Sequence, residues 1–301
     1  MTQVCAIDVG GTTVKAGILD DHGQLLHTTT APTPIGRDSD ARAVVDLVST
    51  LANQLSDRHG AAAVGVVVPG IVDEARGLGV WSQNLGWRDV PMRELLAERI
   101  GAPVAFGHDV RAGGLAEARL GAGRGHESLL FLPVGTGIAA AIVLDGRCYS
   151  AGGWAGEIGH VDVGYEQSCY CGLRGCLEAV SSGAAIARRY AAKAGRRPAG
   201  AAEVAALALS GDVVAESVWS DAIGGLAHAL AWSASVLAPG VIVLGGGLAD
   251  AGQRRLLNPL RERLAARLSY QRVPEVVPAE LGDRAGCVGA GLMAFDLLES
   301  R

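Results

Sequence analysis

The sequence predicts an α/β protein of two domains with a cleft between them, and three observations carry that expectation. The first is a repeat. Residues 4–9 form a short apolar run that reads as a buried strand, breaks at Gly10-Gly11-Thr12-Thr13, and resumes over residues 14–19 before the turn Asp20-Asp21-His22-Gly23. The same order returns at residues 129–134, Gly135-Thr136-Gly137, residues 138–144 and the turn Asp145-Gly146. Gly10 to Asp20 and Gly135 to Asp145 have the same spacing, which points to a duplicated architecture. The second is length: 301 residues suit two domains, or one large one, with ample material for a core. The third is composition. Hydrophobic residues make up 49% and aromatics only 4%, with 43 glycines, as expected of tight turns and closely packed helices in a soluble chain.

The remaining elements follow in order. Residues 24–30 return as a third strand after the first hairpin turn. Residues 41–59 set Val44, Val45, Leu47, Val48, Leu51 and Leu55 at helical spacing. Residues 64–68 read as a strand, and Pro69-Gly70-Ile71-Val72-Asp73 turns out of it. Residues 81–87 read as a loop, with two tryptophans in a chain poor in aromatics. A short helix over 91–100 has Pro91 in its first turn and Gly101 as its stop. Residues 103–106 form a strand ending at Gly107-His108-Asp109, and a helix follows over 110–120. Residues 121–125 read as a hinge or linker. Residues 182–238 are mostly helical around a basic loop at 191–200, and Pro239-Gly240 ends that stretch. A buried strand over 241–244 opens onto Gly245-Gly246-Gly247, and residues 287–298 form a last helix.

One segment, Glu157-Ile158-Gly159-His160 followed by Cys169-Tyr170-Cys171-Gly172-Leu173-Arg174-Gly175-Cys176-Leu177-Glu178, gathers an imidazole, three thiols and carboxylates. Thiolate and imidazole are the ligands zinc prefers, and four of them close a tetrahedral site. Cys169 and Cys171 are too close for a routine disulfide, and Gly172 and Gly175 give the backbone the freedom a metal knuckle needs. Buried thiols, or one disulfide and a spare cysteine, would leave His160 and the glycines unexplained. The ligand set is therefore His160, Cys169, Cys171 and Cys176. Four protein ligands leave no open position, so the zinc is expected to be structural.

The glycine turns carry a second chemistry. Adjacent glycines let backbone N–H groups approach an anion, and Thr12 and Thr13 add hydroxyl donors. One such turn usually only turns the chain, but two at matched spacing are expected to hold the phosphates of one nucleotide. The nucleotide-binding candidates are Asp8, Gly10, Gly11, Thr12, Thr13, Lys15, Gly135, Thr136, Gly137, Gly245, Gly246 and Gly247. Net charge is −5 with no Lys/Arg run, so a nucleic-acid partner is not expected. No apolar run nears the roughly 20 residues of a membrane span, and no secretory signal opens the chain. Three of six cysteines fall outside the zinc segment and read as reduced thiols, which predicts a cytoplasmic protein.

Together these pieces resemble the ROK family of sugar kinases and related repressors, within it the bacterial glucokinase-like enzymes. The match spans nearly the whole chain. It rests on Asp8-Val9-Gly10-Gly11-Thr12, Pro69-Gly70-Ile71-Val72-Asp73, Asn84-Leu85-Gly86-Trp87, Gly135-Thr136-Gly137, Glu157-Ile158-Gly159-His160, the CxCGxxGCxE segment and Gly245-Gly246-Gly247. The resemblance implies the actin-like, ribonuclease-H-like ATPase fold: residues 1–118 plus 287–301 in one α/β domain, and 119–286 in a second that holds the zinc. It implies transfer of the γ-phosphoryl group of ATP, with Mg²⁺, to a hexose, glucose at O6 foremost. An N-acetylhexosamine or another hexose is the alternative, as is a catalytically silent sugar-binding protein. It also favours a homodimer or homotetramer. A repressor would carry a helix-turn-helix before the first glycine turn, and that turn arrives at residue 10.

The resemblance assigns roles by position. Asp109 matches the general base; read from its residues alone, it caps a helix equally well. Asn84, His108, Asp109, Glu157, His160 and Glu178 match sugar-binding positions. Alternatively, Asn84 builds its own turn, Glu157 is an exposed loop acid, and Glu178 serves a helix N-terminus. Asp8 matches the carboxylate on the Mg²⁺ side, or else forms an Asx turn. His108 departs from the family pattern, which has Asn there in contact with sugar hydroxyls, so the identity of the sugar does not carry over. Ala139 is a smaller departure, where a further glycine is common.

Overall fold

The apolar run that opens the chain becomes β1 (Gln3–Val9), buried along most of its length at the centre of a five-stranded sheet. The computed structural model describes residues 2–34, 41–83 and 85–300. β2 (Thr13–Asp20) pairs antiparallel with β1, and β3 (Leu25–Pro32) with β2. On the other side β4 (Val64–Val68) and β8 (Val104–His108) add in parallel, giving the order β3-β2-β1-β4-β8. Every residue of β4 is buried, as befits a parallel strand covered on both faces.

Two helices provide the cover. Cys5 and Ile7 point into a core with Val44, Val45, Val48 and Ala52 of α1 (Ala41–His59), while Ala6 between them packs with Cys287 and Ala290 of α9 (Ala285–Glu299). The alternation along β1 thus sends successive side chains to opposite faces. The α9 face is built from small residues because backbone meets backbone there. A Cβ on Gly65 would run into the Ala290 carbonyl, and one on Gly289 into the Ala112 carbonyl of α3 (Asp109–Leu120).

The stretch 81–87, expected as a loop, instead ends one strand and starts the next. β5 (Ile71–Asp73), β6 (Leu78–Ser82) and β7 (Trp87–Val90) form a small sheet in that order, with Trp87 buried. Gly79 gives the Trp87 indole its space, since a Cβ there would lie 3.0 Å from the ring nitrogen. α2 (Met92–Ala97) follows and buries Met92 and Leu96.

A second five-stranded sheet repeats the order of the first. β9 (Leu129–Pro133), β10 (Ala141–Leu144), β11 (Arg147–Tyr149), β12 (Val241–Gly245) and β13 (Glu275–Pro278) run β11-β10-β9-β12-β13. β10 and β11 form the hairpin expected at Asp145-Gly146, and β12 pairs in parallel with β9 and β13. The helical stretch resolves into α4 (Leu177–Ser181), α5 (Gly183–Ala194), α6 (Ala201–Leu209) and α7 (Val213–Leu237). Gly195 stops α5 in the left-handed conformation, and Asp212 caps α7 by accepting from the Ala215 N–H. α8 (Asn258–Ala265) continues from a π-turn over Gln253–Leu257.

The chain divides into two compact units. One comprises Met1–Arg124, Ala141–Ala155 and Asp283–Arg301; the other comprises Gly125–Ala140 and Gly156–Gly282. Among the described residues no helix is long and apolar enough to cross a membrane.

Candidate active site

The first unit concentrates its chemistry where β8 gives way to α3. His108, the last residue of β8, caps the helix: its Nδ1 accepts the Arg111 N–H at 3.3 Å. Its Nε2 lies 3.3 Å from Asp109 Oδ1. The imidazole is 5% exposed, and burial, followed by the Arg111 charge, pushes its pKa down to about 3, so the ring is neutral. With Nδ1 accepting, the single ring proton sits on Nε2, the nitrogen in close polar contact with Asp109. His108, expected to face a sugar, is therefore buried with Nδ1 bonded to Arg111 and Nε2 beside Asp109. The cap belongs to His108, and Asp109 is the first helical residue.

Asp109 Oδ1 also accepts the Val110 N–H at 2.7 Å. That oxygen is committed, and Oδ2 is the one with bonding capacity left. The side chain keeps 27% exposure. Burial, then the neighbouring Asp8 carboxylate, lifts the Asp109 pKa to about 7, against weaker lowering by the Val110 N–H and Arg111. Asp8, at the end of β1, is lifted to about 6 by burial, with Lys15 lowering and Asp283 raising it.

The corner is braced from below. Arg111, buried, donates through Nε to Glu74 Oε1 at 2.9 Å and through a terminal nitrogen to the Val72 carbonyl at 2.7 Å. Glu74 Oε1 also accepts the His108 N–H at 3.1 Å. Val72 of the motif Pro69-Gly70-Ile71-Val72-Asp73, and Glu74 just after it, thus hold His108 and Arg111 on either side of Asp109 in the chain. Nothing in the residue pattern flagged Glu74 or Arg111.

The first glycine turn is closed on itself, Gly10 N–H donating to the Thr13 carbonyl at 3.0 Å, and Thr33 ties it by donating to Gly10 and Thr12. In detail, the Thr33 hydroxyl donates to the Gly10 carbonyl at 2.7 Å and its N–H to the Thr12 carbonyl at 3.0 Å. Gly11 and Thr12 form the bend between β1 and β2. Lys15, expected to reach a nucleotide, donates instead to the Asp283 carbonyl at 2.8 Å and carboxylate at 3.1 Å.

In the second unit the two later glycine turns are neighbours. Gly135 N–H donates to the Gly137 carbonyl at 3.1 Å, with Thr136 at the bend. Val134, just before it, donates to the Gly245 carbonyl at 2.9 Å and accepts from the Leu248 N–H at 3.1 Å. Gly246 has φ +74° and a Cβ there would lie 2.5 Å from the Val134 carbonyl oxygen, so the position needs glycine; Gly247 completes the turn in open space. Glu178, in the first turn of α4, accepts the Ile138 N–H at 2.7 Å and so ties the metal segment to the glycine turn. A Cβ on Gly137 would stand 2.6 Å from that same carboxylate.

The predicted ligands converge. His160, Cys169, Cys171 and Cys176 present ligand atoms that all lie within 4.8 Å of one another. Nδ1 of His160 is 3.7 Å from Cys169 Sγ, and Cys171 and Cys176 Sγ are 3.6 Å apart. Zinc held at about 2.3 Å from each sulfur spaces tetrahedral ligands by about 3.8 Å, so the set fits. Glu157 precedes the short 3₁₀ turn Ile158–His160 and accepts the His160 N–H at its carbonyl, 3.1 Å away. His160 Nε2, expected to be offered to a sugar, meets the Tyr170 hydroxyl at 3.2 Å, a partner the spacing did not disclose. Asn84 lies outside the described residues.

Known proteins resemble this chain along nearly its whole length. The family model described as ROK family matches residues 4–296. A glucokinase of Streptomyces coelicolor is 30% identical over 98% of this chain and 98% of its own. The crystal structure of a ROK hexokinase from Thermus thermophilus superposes with TM-score 0.86 at 36% identity, covering 100% of both chains. A ROK family glucokinase from Streptomyces griseus, solved in complex with glucose and AMPPNP, gives TM-score 0.83 at 29% identity over 98% of this chain and 99% of that one.

Proposed function

The chain belongs to the ROK family and has the actin-like ATPase fold of its solved members; from that premise we propose that it is an ATP-dependent hexose kinase, with glucose at O6 its foremost substrate. The observation that carries this reading is Asp109. One of its oxygens accepts the Val110 N–H and lies beside His108, the other has capacity left, and its pKa of about 7 suits a group that must take up a proton near neutral pH. Phosphoryl transfer asks little more of a protein than alignment, charge neutralisation and such an acceptor.

In this reading Asp109 Oδ2 takes the proton of the attacking hydroxyl. His108 acts as a positioning residue, packed with Nε2 against the carboxylate rather than touching the sugar. Glu157, His160 and Glu178 hold sugar hydroxyls, with Asn84 as a further candidate. The turns at Gly10–Thr13, Gly135–Gly137 and Gly245–Gly247 offer backbone N–H groups to phosphates. Asp8 would hold Mg²⁺, which supplies charge neutralisation on the phosphate side. Zinc would be held by His160, Cys169, Cys171 and Cys176, where it fixes the segment bearing Glu157 and Glu178.

The test is an ATP-coupled screen of glucose, mannose, fructose, allose, N-acetylglucosamine and N-acetylmannosamine, run beside Asp109→Asn. A positioned base contributes roughly 10²- to 10⁴-fold, so the variant is expected to lose that much kcat while still binding sugar. Undiminished turnover in Asp109→Asn removes the residue from its role. ATP consumption unaltered by all six sugars removes the kinase reading.

A further inference from the structure

Tyr170 sits between two of the expected metal ligands, yet its hydroxyl turns to the far side of a third. It stands 3.2 Å from Nε2 of His160, while Nδ1 of the same ring faces the sulfurs. The two rings meet edge to face with centroids 5.4 Å apart. With Nδ1 given to a metal, Nε2 carries the ring proton and donates to the phenol oxygen, leaving the phenol's own proton for a carboxylate. Carboxylates are at hand. Of these, Glu178 is in side-chain hydrogen-bond reach of the phenol.

The hydroxyl of Tyr170 therefore accepts one bond from His160 and donates another toward Glu178, which is the bonding pattern a sugar hydroxyl presents. The side chain is 61% exposed, so little packing holds it there. Rotation about its two side-chain torsions removes it without moving Cys169 or Cys171, and such rotations in exposed residues are fast.

We infer that Tyr170 is a built-in competitor for the sugar: its hydroxyl fills the His160 Nε2 position until substrate displaces it, and so sets sugar affinity. The inference rests on the kinase reading, in which His160, Glu157 and Glu178 hold sugar hydroxyls. A single net hydrogen bond shifts an equilibrium by about two- to tenfold. Tyr170→Phe keeps the ring and removes the competitor.

The experiment is isothermal titration calorimetry of glucose, mannose and N-acetylglucosamine against the full-length zinc-loaded protein and Tyr170→Phe, with zinc measured in both. Dissociation constants are expected to fall about two- to tenfold in the variant, with the same zinc content. Tyr170→Leu, which lacks the hydroxyl too, is expected to shift in the same direction and guards against an effect of the phenyl ring alone. Unchanged affinity overturns the inference. Weaker binding accompanied by zinc loss also overturns it, and makes the phenol a support for His160. Should the natural protein bind none of the three sugars and phosphorylate no hexose, the kinase reading falls and takes this inference with it. If the natural protein does bind and Tyr170→Phe binds no tighter, the inference alone falls.

Discussion

His108 is held uncharged in the folded protein, and that has a measurable thermodynamic signature. Its folded pKa is pushed down to about 3 by burial and then by Arg111, against an ordinary value of 6.5. Below pH 6.5 the unfolded chain takes up a proton that the folded chain refuses. The stability is thus fully present above 6.5 and is lost as pH falls toward about 3. One proton corresponds to about 1.4 kcal/mol per pH unit, so moving from pH 6.5 to 4.5 costs about 2 kcal/mol. Asp109 works in the other direction. Its folded pKa rises from 3.8 to about 7, so its ionisation costs stability above that window and the cost is relieved as pH falls through it. The two neighbours mask each other in the natural chain. The comparison that separates them is Asp109→Asn against the double variant His108→Asn/Asp109→Asn, because asparagine still caps α3 but does not titrate. Urea unfolding at pH 6.5, 5.5 and 4.5, followed by circular dichroism and by fluorescence of the buried Trp87, reads the difference. The single variant is expected to lose about 2 kcal/mol relative to the double across that range. Parallel curves would refute the reasoning, since they require an imidazole that protonates as readily folded as unfolded.

Two further outcomes are expected. Metal analysis should return about one zinc per chain, and Cys176→Ala should abolish its retention through gel filtration; an active preparation free of zinc contradicts the ligand assignment. Gly65→Ala places a methyl group against the Ala290 carbonyl and is expected to cost about 3 kcal/mol, read from the urea midpoint; an unshifted midpoint means α9 does not pack on β4 as described.

What could be read from the residues was whatever chemistry is local. The hairpin turns at Asp20–Gly23 and Asp145-Gly146 are set by their own backbone needs, and α1 is written in the spacing of Val44, Val45 and Val48. The Cys/His set was legible because coordination chemistry restricts which side chains can share an ion. The ROK resemblance and the actin-like fold it implied are borne out by the comparisons. Contacts made by distant partners were not legible. Arg111 reaches Glu74 and Lys15 reaches Asp283, choices decided by how the strands bring remote residues together. The strands at Trp81 and Trp87 depend on pairing across β6 and β7, which a seven-residue window containing Gly86 does not display. His108 was read as a sugar contact because of its position in the pattern, and the pattern did not show that its ring is buried and caps α3.

α9 covers the sheet that begins with β1, so the opening strands wait for a segment made nearly 300 codons later. At about 5 to 20 residues per second, a ribosome takes roughly 8 to 30 seconds to travel from residue 124 to residue 283. Throughout that interval the nascent chain holds Ala6, Gly65 and Val67 without their lid, while Gly156–Gly282 can complete its own packing. The unit begun first is thus the one completed last, and a chaperone that binds nascent apolar strands would find its target at the amino end for most of synthesis.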